Sequence, residues 1–381
     1  MISYWEKQSF LSFDVAIIGA GITGLSAAIS LKEKQPNLSV TVFERGILPS
    51  GASTKNAGFA CIGSAGEILS DLSTIDTEKA LQLVQLRLEG LQLLRNRLGD
   101  KNIRYRENGS FELLNENELD VLDKIEYLNN LLKPITKKQT YSIQKEEAVN
   151  NLGLNKNYFK AIVQNNCEGE LHTGEMMKSL YLFAIQKGVQ VFTGCNVQQI
   201  ESKNNTISFS VSNPVHQNDF KFSARKIIAA TNAFTNSIFP NAEVKPGRGL
   251  AVVTKPISNL KLKGIFHFDE GFYYFREIDN RILFGGGRNL DFEGETTTEF
   301  GINSIILNDL LHKLKNDILP ENNFEIDLYW SGIIAFGKDK FPHFKWLEKN
   351  IFGVYKMGGM GVAIGSKAGE IAAQEIINSL T

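Results

Sequence analysis

The sequence contains few of the features that mark secreted, metal-binding or nucleic-acid-binding proteins. Its only three cysteines, Cys61, Cys167 and Cys195, lie far apart and form no CxxC pair, so we predict neither a disulfide framework nor a metal site. With 41 basic and 42 acidic residues, the formal net charge is -1. This balance gives no indication of the basic surface expected of a protein that binds nucleic acid, so we predict no nucleic-acid partner.

Long hydrophobic runs are also missing. No stretch approaches the roughly 18 consecutive apolar residues that would predict a membrane span. The N-terminal MISYWEKQSFLSFD lacks the basic start and the apolar run of a secretory signal. We therefore expect a cytoplasmic protein. At 381 residues, the chain is long enough for two domains with buried cores.

Two kinds of strand pattern occur along the chain. Short apolar runs at 14–20, 39–45, 226–232 and 352–359 are typical of strands covered on both faces, as in a parallel sheet flanked by helices. In contrast, GFYYFREIDNRILFGGGR predicts an antiparallel hairpin that turns at Ile278-Asp279-Asn280. We therefore predict an α/β fold in which one domain interrupts another. The first domain comprises 1–99, 151–244 and 336–381, and the second comprises 100–150 and 245–335.

The glycine cluster in DVAIIGAGITGLSAAISLK has the spacing of a dinucleotide-binding turn. That spacing alone is a weak signal, but a strand pattern precedes it, a helix pattern follows, and Glu44 ends the next strand 20 residues after Gly24. Gly19 would make the tight turn, Gly21 would admit the pyrophosphate, and Gly24 would let the helix lie close to the strand. Because Glu44 would accept hydrogen bonds from a ribose and repel the extra phosphate of NADP, NAD and FAD remain.

The segment after Glu44 favours FAD. RGILPSGASTKNAGFACIGSAGE, residues 45–67, is dense in small residues, whereas a nicotinamide dehydrogenase would continue into another strand and helix. An extended segment of this kind can run beside a long ligand with its backbone exposed.

Taken together, these segments resemble the FAD-dependent oxidoreductases of the D-amino-acid oxidase, glycine oxidase and sarcosine oxidase family. The resemblance rests on IIGAGITGLSAAISL with Glu44-Arg45, GASTKNAGF at 51–59, the segment 226–254, and VYKMGGMGVAIGSKAGEIAAQEI at 354–376. It implies a discontinuous, Rossmann-like FAD-binding domain. It also implies an inserted α+β substrate domain with a mixed, largely antiparallel sheet, in agreement with the boundaries above.

The resemblance further implies which residues contact FAD. The glycine-rich turn cradles the pyrophosphate, the acidic residue holds the adenosine ribose, and the next segment follows the diphosphate toward the flavin. Backbone donors at the start of the C-terminal helix face the flavin pyrimidine, where negative charge collects on reduction. The corresponding residues are Gly19, Gly21 and Gly24 for the pyrophosphate, Glu44 for the ribose, Arg45 and Val197 near adenine, Ser53, Lys55 and Asn56 along the diphosphate, Thr231 in the return strand, and Gly359, Met360, Gly361 and Val362 at the flavin.

We expect the FAD to be non-covalent. Some relatives attach it through a histidine after the small-residue segment or through a cysteine near a W-x-G element. This chain has Asn56 in the first segment and no cysteine within 329–344. The bound flavin should therefore be dissociable.

The substrate side departs from the family. In relatives that oxidise amino acids, an arginine shortly after W-x-G binds the substrate carboxylate bidentately, but YWSGIIAFGKDKFPHF has Ile334 there. The remaining candidates for contact with a small-molecule substrate are on the hairpin and near the C-terminus. Strand alternation places Tyr274 and Arg276 on one face of the hairpin and Tyr273 on the other. The full candidate set is Arg276, Tyr274, Tyr273, Arg288 and His343.

The favoured chemistry is hydride transfer from an amine or amino-acid-like C–N substrate to flavin N5, because a neutral amine needs no strong protein base. Alternatives are a dehydrogenase of a 2-hydroxy acid or glycerol 3-phosphate, which would need a base such as His267 or His343, and a non-catalytic flavoprotein or partner-dependent subunit. Some relatives that react rapidly with oxygen carry a lysine where this chain has Leu283. Both an oxidase and a dehydrogenase therefore stay open, as does the oligomeric state.

Overall fold

Two large β-sheets organise the chain. The computed structural model describes residues 2–145, 147–203, 205–212 and 219–380, and within these the chain forms two eight-stranded sheets and a two-stranded ribbon. The strands are β1 (Ser12–Ile18), β2 (Val40–Phe43), β3 (Phe59–Ala60), β4 (Ser110–Leu114), β5 (Tyr141–Ile143), β6 (Ala161–Asn165), β7 (Gly169–Glu170), β8 (Gln190–Phe192), β9 (Val197–Lys203), β10 (Thr206–Val211), β11 (Phe220–Ala229), β12 (Lys245–Thr254), β13 (Ile265–Phe268), β14 (Tyr273–Ile278), β15 (Arg281–Gly286), β16 (Ile326–Phe336), β17 (His343–Glu348) and β18 (Ile351–Tyr355).

Helices connect and cover these strands. The α-helices are α1 (Tyr4–Phe10), α2 (Ile22–Lys34), α3 (Ala52–Lys55), α4 (Ala65–Thr74), α5 (Thr77–Leu98), α6 (Ile125–Thr136), α7 (Ala148–Leu152), α8 (Thr173–Gln186), α9 (Thr235–Ile238), α10 (Ser304–Lys313) and α11 (Gly361–Leu380). Short 3₁₀ segments span Glu116–Lys124, Asn232–Phe234 and Arg288–Leu290, and a π turn spans Leu314–Ile318. Of the helices in the described ranges, none combines the length and apolarity needed to cross a bilayer.

The first sheet has the parallel centre that the apolar runs predict. Its order is β17-β18-β11-β1-β2-β8, with β10 and β9 added beside β11. β1 pairs in parallel with both β2 and β11. Val15 and Ile17 of β1 pack toward α2, α5 and α11, whereas Ala16 and Ile18 pack toward an aromatic cluster that includes Phe43. Both faces of the central strand are therefore buried, which explains its continuous apolar run.

The second sheet is mixed and largely antiparallel. Its order is β16-β12-β15-β14-β13-β4-β6-β5, and only the β13–β4 pair is parallel among the pairs described. The predicted hairpin is β14 and β15, with Ile278 opposite Arg281. Asp279 and Asn280 have φ values of 50° and 59°, as a two-residue turn between twisted strands requires.

One strand joins a different sheet from the one that the predicted domain boundaries imply. β6 pairs with β4 and β5 in the second sheet, although the sequence-based division assigns 151–244 to the first domain. The pattern of β6 identifies a strand but carries no information about its partners, because pairing depends on tertiary contacts. The second sheet therefore takes a strand from beyond residue 150.

Candidate active site

A cavity of about 650 Å³ lies where the first sheet meets one face of the second. Its volume is within the range of about 300–1,000 Å³ that is common for small-molecule and cofactor sites. Residues that follow β1, β2, β11 and β18 line one part of it, namely Gly19, Glu44, Ala230 and Met357. Ligands bind at this carboxyl edge in doubly wound α/β sheets.

The glycine cluster brings α2 close to the backbone around β1. Gly19 has a φ of 106°, and a Cβ at this position would lie 2.7 Å from the carbonyl oxygen of Ala230. A Cβ at Gly24 would lie 1.9 Å from the carbonyl oxygen of Gly19, and one at Gly21 would lie 2.8 Å from Ser53 Oγ. Side chains at these positions would push the helix away from the strand and occupy the cradle.

The start of α2 presents backbone N–H groups, and the residue that follows β2 presents a carboxylate. Gly21 caps α2 without a side chain, and the next backbone N–H, at Ile22, donates to Ser53 Oγ at 3.0 Å. The carboxylate of Glu44 is buried and accepts from the backbone N–H of Ala20 at 3.0 Å and of Gly46 at 2.9 Å. A helix N-terminus suits a pyrophosphate and a fixed carboxylate suits a ribose, so these residues fit a dinucleotide cofactor.

The other predicted cofactor residues line the same cavity. The Arg45 guanidinium carbon lies 4.3 Å from the Phe234 ring centroid, and Asn56 Oδ1 accepts from Gly58 N and Thr173 Oγ1 at 2.9 Å each. The remaining members are Lys55, Val197, Thr231, Gly359, Met360, Gly361 and Val362. The fold therefore gathers segments from across the chain, and their contact with FAD stays a prediction.

A row of facing residues crosses the second sheet. Strand register places Glu112, His267, Tyr274, Gly285, Ala251 and Trp330 opposite one another on β4, β13, β14, β15, β12 and β16. A Cβ at Gly285 would lie 2.7 Å from Tyr274 Oη, so this glycine makes room for the tyrosine. Trp330 Nε1 donates to the carbonyl of Lys55 at 3.0 Å, which ties the second sheet to the segment predicted to follow the diphosphate.

Tyr274 and His267 of this row line the cavity. The Tyr274 ring packs edge-on against Phe59 at a centroid distance of 5.7 Å. Burial raises the pKa of Tyr274 to about 12, so its hydroxyl stays protonated at neutral pH and can donate a hydrogen bond. His267 Nε2 is buried and has no hydrogen-bond partner in the described part of the chain.

Arg276 does not reach the cavity, contrary to the sequence-based prediction. It shares a sheet face with Tyr274, as alternation requires, but its guanidinium is buried among backbone carbonyls. Its Nη1 donates to the carbonyls of Ala57 and Leu171 at 3.1 and 2.8 Å, and its Nη2 lies 3.0 Å from Glu170. Arg276 therefore joins the hairpin to two distant segments.

Tyr273 and His343 are also placed outside the cavity. Tyr273 lies on the opposite face of β14, as predicted, and its hydroxyl donates to Asp309 at 2.7 Å. His343, on β17, packs against the ring of Tyr355 on β18 with the two ring centroids 5.2 Å apart. Of the five predicted substrate-side residues, Tyr274 and Arg288 line the cavity.

A cluster of charged side chains that the sequence analysis did not predict lies at another wall of the cavity. Lys340 Nζ lies 2.7 Å from Asp71 and 3.1 Å from Glu67, and Arg87 Nη2 lies 3.0 Å from Glu67. Although burial raises the pKa of Glu67, Arg87 and Lys340 lower it to about 2. Glu67 and Lys340 line the cavity beside Cys61. These residues come from three separate segments, so no local spacing could have revealed them.

Together, the cradle, the buried acid and the cavity define a dinucleotide-binding protein of the two-sheet α/β type. Residues 14–375 match the family model described as DAO, FAD dependent oxidoreductase, and the chain belongs to this family. The predicted FAD-dependent oxidoreductase is thereby confirmed.

Individual relatives are similar over most of the chain. The probable oxidoreductase OrdL of Haemophilus influenzae is 26% identical over 380 residues, which covers 96% of this chain and 83% of the relative. The gamma-glutamylputrescine oxidoreductase of Escherichia coli is 23% identical over 382 residues, with the same coverage.

Solved structures confirm the predicted fold class. The L-proline dehydrogenase from P. horikoshii superimposes with a TM-score of 0.77 at 19% identity, covering 97% of this chain and 94% of that one. The glycine oxidase from Geobacillus kaustophilus gives 0.76 at 20% identity, covering 97% and 95%. At these identities the likeness shows a shared fold.

Proposed function

We propose that this protein oxidises the C–N bond of a small amine or amino-acid-like substrate with non-covalently bound FAD. The first sheet would serve as the FAD-binding domain and the second as the substrate domain. The observation that carries this proposal is that one cavity is lined both by the start of α2 and by His267, Tyr274, Ala251 and Trp330 of the row across the second sheet, which we call the Tyr274 row. The three cysteines are free, which fits a reducing cytoplasm.

The chain offers a group for each part of the cofactor. The start of α2 and Ser53 would hold the pyrophosphate, Glu44 the ribose, and the backbone of Gly359 to Val362 the flavin pyrimidine. The chemistry that FAD supplies when bound is acceptance of a hydride from the substrate carbon.

The chain's own residues would bind and orient the substrate. A neutral amine forms its C=N bond from the nitrogen lone pair as the hydride leaves carbon, so no strong protein base is required. The protonated hydroxyl of Tyr274 would donate a hydrogen bond that fixes the substrate in place. Trp330, Ile334 and Phe59 line the cavity with apolar surface and would exclude water from the reacting groups.

The state of the cavity thiols supports dissociable FAD. Cys61 and Cys195 both line the cavity. Burial raises the pKa of both thiols, and Glu168 raises that of Cys61 further. Because the thiolate is the nucleophile, neither sulfur is disposed to bond covalently to the flavin.

The relatives support nitrogen compounds as substrates. The names of two relatives above specify gamma-glutamylputrescine and L-proline, and a third specifies glycine. The second candidate is a dehydrogenase of a 2-hydroxy acid or glycerol 3-phosphate. It is favoured by His267, whose Nε2 is buried without a hydrogen-bond partner among the described residues and could take a hydroxyl proton.

Anaerobic titration of the FAD-loaded protein separates these functions. We expect secondary amines or amino acids to bleach the flavin absorbance, whereas 2-hydroxy acids and glycerol 3-phosphate leave it unchanged. Bleaching by the hydroxy compounds alone would favour the second candidate. A flavin that no class of compound bleaches would favour a non-catalytic flavoprotein or a partner-dependent subunit.

A further inference from the structure

Arg288 presents its guanidinium to the cavity between two aromatic rings. Its central carbon lies 4.4 Å from the ring centroid of Phe336 and 5.0 Å from that of Phe292. Gly247 leaves the space for this stack, because a Cβ there would lie 2.8 Å from Arg288 Nε and 2.5 Å from the Phe336 ring. Gly287, with a φ of 74°, turns the chain at the end of β15 so that Arg288 follows directly.

This guanidinium has no anionic partner within the described ranges. No carboxylate oxygen there lies within 4 Å of it, and its Nε is buried without a hydrogen bond. The acid that acts on it electrostatically, Glu295, is already held by Arg248 at 2.7 and 2.9 Å. By contrast, Arg276 and Arg87 in the same protein are each paired with a glutamate.

Leaving the charge of Arg288 without an anionic partner costs free energy, because the side chain is half-buried. Burial lowers the pKa of Arg288, but a guanidinium remains protonated in proteins. A partly desolvated charge is stabilised when an anion pairs with it. Since residues 2–145, 147–203, 205–212 and 219–380 supply no such anion, we look to a ligand that enters the cavity as its source.

We propose that Arg288 binds a carboxylate of the substrate, which makes it the residue that selects amino-acid-like compounds over simple amines. This inference rests on the proposed function. Phe336, which Arg288 covers, alternates with Ile334 and Trp330 on the cavity side of β16, and Trp330 belongs to the Tyr274 row. The flanking rings hold the plane of the guanidinium, whose paired donors match the two oxygens of a carboxylate.

Ligand binding to the FAD-loaded protein tests this role through the flavin absorption spectrum. The probes are cyclopentanecarboxylate and its neutral amide, cyclopentanecarboxamide. We expect the wild type to bind the carboxylate at least about tenfold more tightly than the amide. Arg288→Met should weaken carboxylate binding by about 10- to 100-fold with little effect on the amide, and Arg288→Lys should give an intermediate affinity.

Arg281→Met is the matched control. Arg281 lies on the same hairpin and pairs with Asp327, but it does not line the cavity, so both affinities should stay unchanged.

The proposal is overturned if the wild type binds the two probes equally or binds neither, or if Arg288→Met keeps its preference for the carboxylate. Should amines fail to bleach the flavin while Arg288→Met loses carboxylate binding, the proposed function fails and the anion site stands. If amines with and without a carboxylate bleach the flavin equally in the wild type, the proposed function stands and the selective role of Arg288 fails.

Discussion

Tyr273 and Tyr274 are adjacent on β14, yet their side chains lie on opposite faces of the second sheet. The Tyr273 hydroxyl reaches Asp309 behind the sheet, whereas the Tyr274 ring lines the cavity. Strand alternation predicts this difference from the sequence. It makes the two residues a matched pair for separating stability from substrate binding.

We predict that Tyr274→Phe lowers kcat/KM for an amine substrate by about tenfold, the loss expected for one hydrogen bond to the substrate. FAD content should not change. Tyr273→Phe should instead lower the free energy of unfolding by about 1 kcal/mol and leave kcat/KM as in the wild type. Steady-state kinetics and urea denaturation measure the two effects. Equal kcat/KM values for wild type and Tyr274→Phe would refute the assigned role.

Strand alternation assigns Arg276 to the correct face of β14 but does not predict what its side chain contacts. The guanidinium is held by Glu170 and by carbonyls of two remote segments. Such partners are brought together only by the tertiary fold. Arg288 was predicted as a candidate on equal terms with Arg276. The structure distinguishes the two, because Arg288 lines the cavity and has no acid beside it in the described ranges, whereas Arg276 is paired with Glu170 outside the cavity.

At the scale of elements, the contact of α2 with β1 has almost no space to spare. Gly24→Ala would place a Cβ 1.9 Å from the Gly19 carbonyl oxygen, so helix and strand must separate. We predict a loss of FAD retention and a free energy of unfolding lower by about 1–3 kcal/mol.

Lys34→Ala is the control for this variant. Lys34 is the exposed last residue of α2, and it lies outside the residues that line the cavity. The purified control should contain as much FAD as the wild type. Normal FAD content in Gly24→Ala, measured by absorbance, would show that the cradle tolerates a wider gap than the account allows.

The ion pairs of Glu67 join α4 to α5 and to Lys340, which precedes β17. Burial opposes ionisation of Glu67, but its two cationic partners lower the pKa from 4.5 to about 2. A depressed native pKa stabilises the fold fully above the unfolded value, and this stabilisation is lost as pH falls from about 4.5 toward 2. We therefore predict that the difference in unfolding free energy between wild type and Glu67→Gln shrinks between pH 6 and pH 3.

Urea denaturation at several pH values measures this difference. Gln186→Ala, which changes an exposed and uncharged residue at the end of α8, should show a difference that is independent of pH, because it removes no titratable group. A constant difference for Glu67→Gln as well would mean that the ion pairs do not stabilise the native state.

Local patterns predicted most of the elements that support the cofactor site. β1, α2 and β2 are consecutive, so their apolar runs, their glycines and Glu44 all fall within one short stretch. The hairpin of β14 and β15 was likewise predicted by its alternation and by a turn at Ile278-Asp279-Asn280, although Ile278 is the last residue of β14 rather than part of the turn. The pairing of β6 with β4 could not be predicted in this way, because strand partners are selected by the whole sheet.

At the scale of the whole molecule, the cavity is formed where two sheets of different type meet. On the side of the first sheet the cavity is built around a compact strand–helix–strand unit, whose elements were predicted from local patterns, while the contacts of its residues with FAD stay a prediction. On the side of the second sheet it depends on the register of six strands and on loops such as the one that carries Lys340. Single-sequence patterns specify neither, which is why Tyr273, Arg276 and His343 were proposed for a site that they do not reach.

The central claim is that the cavity between the sheets holds dissociable FAD, and acid precipitation of the purified protein tests it most directly. Acid unfolds the chain and releases any cofactor that is held by non-covalent contacts alone. We predict a colourless pellet and a supernatant that contains FAD equimolar with the chain. A yellow pellet would contradict dissociable binding, and a folded protein that is colourless and takes up no added FAD would contradict the claim as a whole.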